Sequence, residues 1–362
     1  MVSLAVEICG LKFRNPILTA AGPTTRDANS LLAAVEGGAG GLVAKTVSGA
    51  SEKNPRPNLA KIKDNILSAD LWSEDPLSKW TGEWYPKVKK GTDIPLVASI
   101  GFTAEEVGEL APKVVAAGVD AVELTIHSPA DNPAPIVEAV KTVKEEVDVP
   151  VLVKLGPVPK VKRFAEAAEG AGADGIVATG SLGPCLSIDV ETAMPLMGAA
   201  GGHGWLSGPA VKPLAVRCVA DIALAVNVPV IGAGGVSTGR DAVEFIMAGA
   251  SAVQVCSAAI IHGAGIYGRI ADEMSHFMQI KNYRTVEDMR GIALKHLPEA
   301  PMHPKARAPE VIRSRCTGCR LCEKSCIFGA VKIIGGVARV DLTRCTGCGL
   351  CVSVCPTRAL RF

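Results

Sequence analysis

Eight short apolar runs, spaced by helix-like stretches between residues 15 and 256, constrain the fold of this chain more than any other feature. Four follow a small-residue turn: GGAGGLVAKT (37–46), AAGVDAVELT (116–125), AGADGIVAT (171–179) and AGASAVQVC (248–256). Three are entered through X-Pro, in DIPLVASI (93–100), DVPVLVKL (148–155) and NVPVIGAG (227–234), and NPILTAAG (15–22) completes the set. Stretches such as AEEVGELAPKVVAA and RFAEAAEGA place apolar residues three and four apart, the helical period. Buried runs alternating with helices mean repeated βα units and a parallel sheet. Glycine ends each helix, and proline opens a strand where no ladder donor is needed. A doubly wound open sheet has the same order of elements. The count of eight, with chemistry-bearing residues at the C-terminal end of nearly every run, predicts instead an α/β fold closed as a (β/α)8 TIM barrel over residues 1–297.

Composition narrows the class. With 48% hydrophobic and 20% charged residues the chain has a globular balance. The 38 Lys and Arg against 36 Asp and Glu leave a net charge of +2, so no bulk field points to nucleic acid, and 4% aromatics disfavour a base-stacking binder. The N-terminus lacks a basic segment followed by an apolar one, so no secretory signal is read. The uncharged stretch between Glu244 and Arg269 is taken as a buried strand between two loops rather than a membrane span. A cytoplasmic protein with no membrane contact is the expectation, and in that reducing setting clustered cysteines are metal ligands rather than disulfides.

After Leu297 the texture changes. Pro298, Pro301, Pro304 and Pro309 mark residues 298–311 as an extended linker, expected to lie on the barrel surface. Residues 312–362 hold two similar halves, RCTGCRLCEKSCIFGAVKI and RCTGCGLCVSVCPTRALRF. In each, three cysteines two residues apart wrap a corner of a cubane and the fourth reaches the other cluster. This assigns Cys316, Cys319, Cys322 and Cys355 to one [4Fe–4S] cluster, and Cys345, Cys348, Cys351 and Cys326 to a second. Two structural zinc sites also use C-x2-C pairs, but they need a longer loop between pairs than these runs supply. Ile327 stands where proline usually follows the fourth cysteine, which changes packing rather than ligation. The segment resembles a bacterial two-cluster ferredoxin, a small α+β domain carrying single electrons.

A barrel joined to one-electron carriers calls for a cofactor that exchanges electrons both in pairs and singly, and flavin does so. A barrel of this kind binds phosphate after its seventh and eighth strands, where Gly234-Gly235 and Cys256-Ser257-Ala258 fall. The phrases NPILTAAG, AKTV (44–47), NPRP (54–57), VELT (122–125), VLVKLGP (151–157), ADGIVAT (173–179), GWLSGPA (204–210), IGAGGV (231–236) and VQVCSA (253–258) together resemble the dihydroorotate dehydrogenase family of FMN barrels. With the appended cysteine segment, the chain is similar to the C-terminal part of dihydropyrimidine dehydrogenases and to their bacterial barrel-plus-clusters subunit.

The resemblance implies FMN across the barrel mouth. Ala20, Ala21 and Gly22 would meet one edge of the flavin and Lys45 and Lys154 its ring. Ser207, Gly208, Gly234, Gly235, Cys256 and Ser257 would line the phosphate end, and Thr46, Thr125 and Thr179 complete the cofactor set. Lys154 in VLVKL is too enclosed by apolar residues for a surface lysine, and a cation there stabilises the charge of reduced flavin. Where the family reads Glu-Leu-Asn-Leu-Ser-Cys-Pro-Asn, this chain reads Glu123-Leu124-Thr125-Ile126-His127-Ser128-Pro129-Ala130, which puts Ser128 in the acid/base position. Serine needs a relay to act as a base, and His127 is the neighbouring candidate, although it can equally pack outward. The family's pyrimidine-binding asparagines are replaced by Ser68, Thr125, Ala130 and Gly180, and the loop after Ser128 is short. Each unmatched pyrimidine edge costs about 1–3 kcal/mol, which disfavours a standard pyrimidine.

The implied activity is FMN- and iron–sulfur-dependent oxidoreduction of a CH–CH bond. Hydride is exchanged at flavin N5, and the clusters relay electrons to or from a ferredoxin or an NAD(P)H-oxidising flavoprotein subunit. Two alternatives stand beside it: a dihydropyrimidine or dihydroorotate dehydrogenase, and an electron-transfer subunit without substrate chemistry. A homodimer or hetero-oligomer is expected. Of the remaining residues, Cys9, Cys185 and Cys218 are taken as small buried side chains and His203 as a loop residue that can face the pocket. Trp72, Trp80, Trp84 and Tyr85 are taken as a packing or subunit-contact cluster in a loop region.

Overall fold

Each of the eight apolar runs becomes a parallel strand in the computed structural model, which describes residues 2–51, 53–126, 131–299 and 307–362. The strands are β1 (Ile17–Thr19), β2 (Leu42–Val43), β3 (Leu96–Ile100), β4 (Ala121–Leu124), β5 (Val151–Leu155), β6 (Gly175–Ala178), β7 (Val230–Ala233) and β8 (Ala252–Val255). They pair in sequence order, with β1 beside β8. Between β1 and β2, Gly40 N–H donates to Ile17 C=O at 2.7 Å, and a parallel bridge joins Leu18 to Gly41. Thr19 Oγ1 accepts from Val43 N–H at 2.6 Å and donates to Val43 C=O at 3.0 Å, standing in for ladder bonds that a two-residue strand lacks. The result is the expected (β/α)8 barrel, ringed by α1 (Ala28–Glu36), α2 (Tyr85–Gly91), α3 (Ala104–Ala116), α4 (Ala134–Glu146), α5 (Val161–Gly170), α6 (Lys212–Ala223), α7 (Gly239–Met247) and α8 (Ile266–Lys281).

The recurrent sequence phrases have a common physical cause. Pro16, Pro95, Pro150 and Pro229 each open a strand without donating, yet each carbonyl accepts from a neighbouring strand, from Val253, Leu42, Val122 and Ile176 N–H at 2.8–3.0 Å. Asp120 and Asp174, which end the turns before β4 and β6, accept from Leu96 and Val151 N–H at 2.8 and 2.7 Å. Their carboxylates also hold Lys89 of α2 and Lys144 of α4, each one helix further back along the chain.

Side chains of a strand alternate between the two faces of the sheet. One set packs against the helices in the main core, including Ile17, Ala98, Val122, Val153, Ile176 and Val253. The other set, Leu18, Val43, Val97, Ala121, Leu152, Val177, Ile231 and Ala252, forms a closed layer inside the barrel. Ile8 and Phe13 join this layer from an N-terminal hairpin, Val6–Ile8 and Leu11–Phe13, which stoppers the bottom of the barrel and which the sequence did not announce.

The structure departs from expectation in several places. His203 lies not on a loop but in a strand, His203–Ser207, of a four-stranded antiparallel sheet with Leu182–Leu186, Asn65–Ser68 and Leu59–Ile62. Trp80, Trp84 and Tyr85 lie on a helical segment running into α2 and are buried in the core, where burial alone carries the Tyr85 hydroxyl far above the usual tyrosine range. Trp72 packs edge-on to Phe102. Cys218 is buried, whereas Cys9 and Cys185 are half-buried because they occupy a tight turn and the outer sheet. The uncharged stretch after Glu244 is a strand between two helices, α7 and Ser257–His262, rather than between loops. Among the described residues no helix is long and apolar enough to cross a membrane.

The chain forms two compact units, Met1–His296 and Leu297–Phe362. In the second, β9 (Glu310–Val311) pairs with β12 (Leu360–Arg361), so the end of the stretch read as linker is part of the small unit's sheet. Between them lie α9 (Leu321–Ser325), the hairpin β10 (Val331–Ile334) and β11 (Val337–Val340), and α10 (Leu350–Ser353). The small core consists of Cys322, Val331, Ala338, Cys351 and Leu360. Two of those five residues are cysteines, so little apolar material holds this unit together.

Candidate active site and cysteine module

Two residues beyond the apolar layer, the same alternation brings Ala20, Lys45, Ser99, Glu123, Lys154, Thr179, Ala233 and Gln254 toward the C-terminal mouth. Seen along the barrel, an apolar layer is capped by a largely polar one. Lys154 Nζ lies 2.7 Å from Gln254 Oε1 and 3.2 Å from Glu123 Oε1, and Gln254 Nε2 donates to Glu123 Oε2 at 2.5 Å. β4 and β8 sit four strands apart in the ring, so the Gln254–Glu123 bond crosses the barrel interior. Glu123 is fully buried. A buried carboxylate needs a cation and donors, and here it has both. The sequence singled out Lys154 but passed over Glu123 and Gln254, which the two-residue step from Ala121 and Ala252 could have exposed.

Lys45 is also buried and forms an ion pair with Asp70. Asp70 accepts from Asn58 Nδ2 at 3.1 Å, and its own N–H donates to Ser68 Oγ at 3.1 Å. Asp70 and Asn58 flank the outer antiparallel sheet and carried no sequence signal. Thr46 Oγ1 meets Ser99 Oγ at 2.9 Å, and Ser99 reaches Thr125 Oγ1 at 3.4 Å. Thr179 N–H donates to Ala233 C=O at 2.7 Å. Gly156 and Gly180, just past β5 and β6, border open space: a Cβ on either would touch nothing within 4 Å.

At the end of β7, Gly234 and Gly235 adopt φ of +112° and +84°, open to glycine and strained for other residues. A Cβ on Gly235 would fall 2.7 Å from Gly208 C=O, which places the Ser207-Gly208 turn against the Gly234-Gly235 turn. Beyond β8, Cys256 precedes the short helix Ser257–His262, and a Cβ on Gly22 would meet its Sγ at 2.7 Å. Ala20–Gly22 and Cys256-Ser257 are therefore neighbours. Burial raises the Cys256 thiol above its ordinary range although Lys154 and Lys45 pull it back, so it stays protonated. Thr24 Oγ1 and Tyr267 OH are buried beside that thiol, with the Thr24 side chain close to both Cys256 and Tyr267. A mouth lined by tight glycine turns at positive φ, set against one another closely enough that a Cβ would not fit, suits a phosphate-bearing cofactor. His127, Ser128 and Ala130 lie outside the described residues.

In the small unit, Cys316, Cys319, Cys322 and Cys355 line one cavity, and Cys326, Cys345, Cys348 and Cys351 line another. Each cavity takes three cysteines from one run and the fourth from the other. Backbone N–H groups of Ala338, Ala330 and Ala359 point at Cys316, Cys326 and Cys355 Sγ at 3.4, 3.3 and 3.2 Å. Burial raises the thiols of Cys326 and Cys355, yet the N–H groups outweigh it and leave both below the ordinary range. Burial raises the thiols of Cys322 and Cys351, with nearby cysteines adding to it.

Fold and site together have the make-up of a flavin-dependent barrel oxidoreductase joined to a module with ferredoxin-type cysteine motifs. Residues 3–278 match the family described as dihydroorotate dehydrogenase, and residues 313–329 and 338–361 each match a 4Fe-4S binding domain. The chain is 34% identical over 304 residues to the "Dihydroorotate dehydrogenase B (NAD(+)), catalytic subunit" of Pyrococcus abyssi, spanning 81% of this chain and 99% of the relative. The proteins of the same description from Methanosarcina mazei and Methanothermobacter thermautotrophicus are 37% and 35% identical, over 80% of this chain and 95% and 98% of theirs. The chain belongs to the dihydroorotate dehydrogenase family: it is an oxidoreductase of the CH–CH class with FMN and two [4Fe–4S] clusters as cofactors.

Proposed function

We propose that this chain is the substrate-converting subunit of a redox pair, acting on a CH–CH bond at the barrel mouth while its cysteine module passes electrons to or from a partner protein. The observation that carries the reading is the polar layer at the mouth, centred on the buried Lys154–Glu123–Gln254 group, on a chain that also forms two four-cysteine cavities. FMN, when bound, couples two-electron exchange with a substrate to one-electron exchange with the clusters. Ser207, Gly208, Gly234, Gly235, Cys256 and Ser257 hold its phosphate end. Ala20, Ala21, Gly22, Thr46, Thr125 and Thr179 border its ring system. Lys154, aimed by Glu123 and Gln254, offers a fixed cation there, and Lys45, tethered by Asp70, offers a second. Ser128 moves the substrate proton with His127 or water as its relay. Cys316, Cys319, Cys322 and Cys355 ligate one cluster; Cys345, Cys348, Cys351 and Cys326 ligate the other. The partner is a ferredoxin or an NAD(P)H-oxidising flavoprotein subunit.

The substrate is not a standard pyrimidine in this reading. Ser68 and Gly180 offer no amide to pair with a pyrimidine edge, and Ser68 Oγ already accepts from the Asp70 backbone. Both lysines of the polar layer are paired with carboxylates, which supports an uncharged substrate over an anion. The relatives' description favours a second reading, dihydroorotate oxidation. Protein purified without oxygen decides between them: FMN and iron content first, then reoxidation of the dithionite-reduced protein by orotate, uracil or a neutral conjugated enone. The proposal expects FMN, about eight irons per chain and reoxidation by the neutral enone alone. Reoxidation by orotate establishes the second reading, and iron without flavin overturns both. S128A should abolish reoxidation by substrate and leave electron exchange with the partner intact; an unchanged variant would mean electron transfer without substrate chemistry.

A further inference from the structure

The chain's near-zero net charge conceals a segregation. Residues 297–362 hold 11 Lys and Arg against 4 Asp and Glu, a net +7, while residues 1–296 hold 27 against 32, a net −5. The excess is not spread evenly around the two cysteine cavities. Beside the cavity of Cys316, Cys319, Cys322 and Cys355 lies a surface recess with Ile312, Val352 and Leu360 on its apolar side and Arg315, Arg358 and Arg361 at its edge. Cys355 lines both the recess and the cavity, so one ligand separates them. All three arginines are exposed. Arg361 is paired with Glu310 at 3.1 Å, whereas Arg315 and Arg358 have no carboxylate partner among the described residues. The other cavity is bordered instead by Pro309, Phe328, Ala330, Val331 and Leu350, with no basic residue in its lining.

We infer that the recess beside Cys355 is the docking face for an acidic one-electron carrier protein, and that the cluster reaching Cys355 is the port through which electrons pass between proteins. The inference rests on the redox reading above. An apolar patch rimmed by arginine is the anatomy of a protein interface, and the unpaired guanidinium groups select an acidic partner and speed its approach. Its position is chemically apt: a carrier seated on the recess is one cysteine from a cluster, whereas the second cavity holds no basic residue in its own lining and has only Arg344 beside it, over Gly329. One electron crosses per encounter, so the carrier is oxidised as the cluster is reduced, or the reverse, with no bond made or broken.

The test uses the anaerobic holoprotein and an acidic bacterial two-cluster ferredoxin as probe, with affinity measured by titration calorimetry at two salt concentrations. R315Q/R358Q should weaken binding about tenfold and flatten its salt dependence. R315K/R358K should restore most of it, and R339Q, an exposed arginine away from the recess, should stay near wild type. Iron content and absorption spectrum of each variant confirm an intact module. Wild-type affinity in R315Q/R358Q, an equal loss in R339Q, or tighter binding of duplex DNA than of ferredoxin would overturn the inference. The readout does not depend on turnover: a failure of every substrate to reoxidise the protein would strike the redox reading and leave the docking result standing.

Discussion

The barrel mouth and the cysteine module do comparable work with opposite means. The mouth assembles its polar layer from eight strands scattered over more than two hundred residues, and it rests on a large core. The module gathers eight cysteines within forty residues, and its fully buried core is five residues, two of them cysteines. In the barrel the scaffold holds the chemistry; in the module the chemistry holds the scaffold.

That contrast is most sharply tested at the cysteines. Chelating iron under anaerobic conditions should unfold the module while the barrel keeps its helical circular dichroism, because metal binding there is folding energy. C355S should lose about half of roughly eight irons and spare the cluster of the second run's first three cysteines, as followed by electron paramagnetic resonance. Loss of the opposite cluster would break the crossed ligand assignment.

In the barrel, E123A leaves Lys154 without its buried carboxylate and should cost about 3–5 kcal/mol in denaturant unfolding, with E123Q costing less. A loss under 1 kcal/mol would show that the polar layer is solvated, and the contrast with the module would blur. G235A forces a side chain onto a φ of +84° and against Gly208 C=O; it should cost about 1–3 kcal/mol and raise the FMN dissociation constant measured by fluorescence.

The smallest effect belongs to Cys9, in the turn of the hairpin beneath the barrel. Burial pushes its thiol up to about 11, with the Asp174 carboxylate adding to this. The folded state therefore holds a proton that the unfolded chain releases near pH 9. Stability from this group is present below pH 9 and falls as pH rises toward 11. C9A should flatten that decline in unfolding curves taken across the window.

Legibility followed the same division. The strands could be read because every βα unit repeats a local message, and the X-Pro entries and small-residue turns proved to be hydrogen-bonding devices. The cysteine runs could be read because ligation is local. Lys154 and Lys45 stood out as charges inside apolar runs. Glu123 and Gln254 stood in equivalent positions but are meaningful only once strands four apart face one another. Asp70 and Asn58 were beyond reach, since the sheet that presents them pairs Asn65–Ser68 with His203–Ser207 across a long sequence gap. The outer sheet also turned a supposed loop at His203 into a strand.

The N-terminal hairpin and β1 have a consequence for how the molecule comes into being. Ile17 pairs with Val253, 236 positions later, and the hairpin that precedes it seals a layer drawn from all eight strands. During synthesis β1 and this hairpin must wait for β8, the last barrel strand made, before they find a partner. Contacts of such long range are slow to form and leave apolar edges exposed meanwhile. The hairpin made ahead of all eight strands is thus the closing piece of the barrel, and any pause in translation before residue 253 prolongs the interval in which its apolar face stays uncovered.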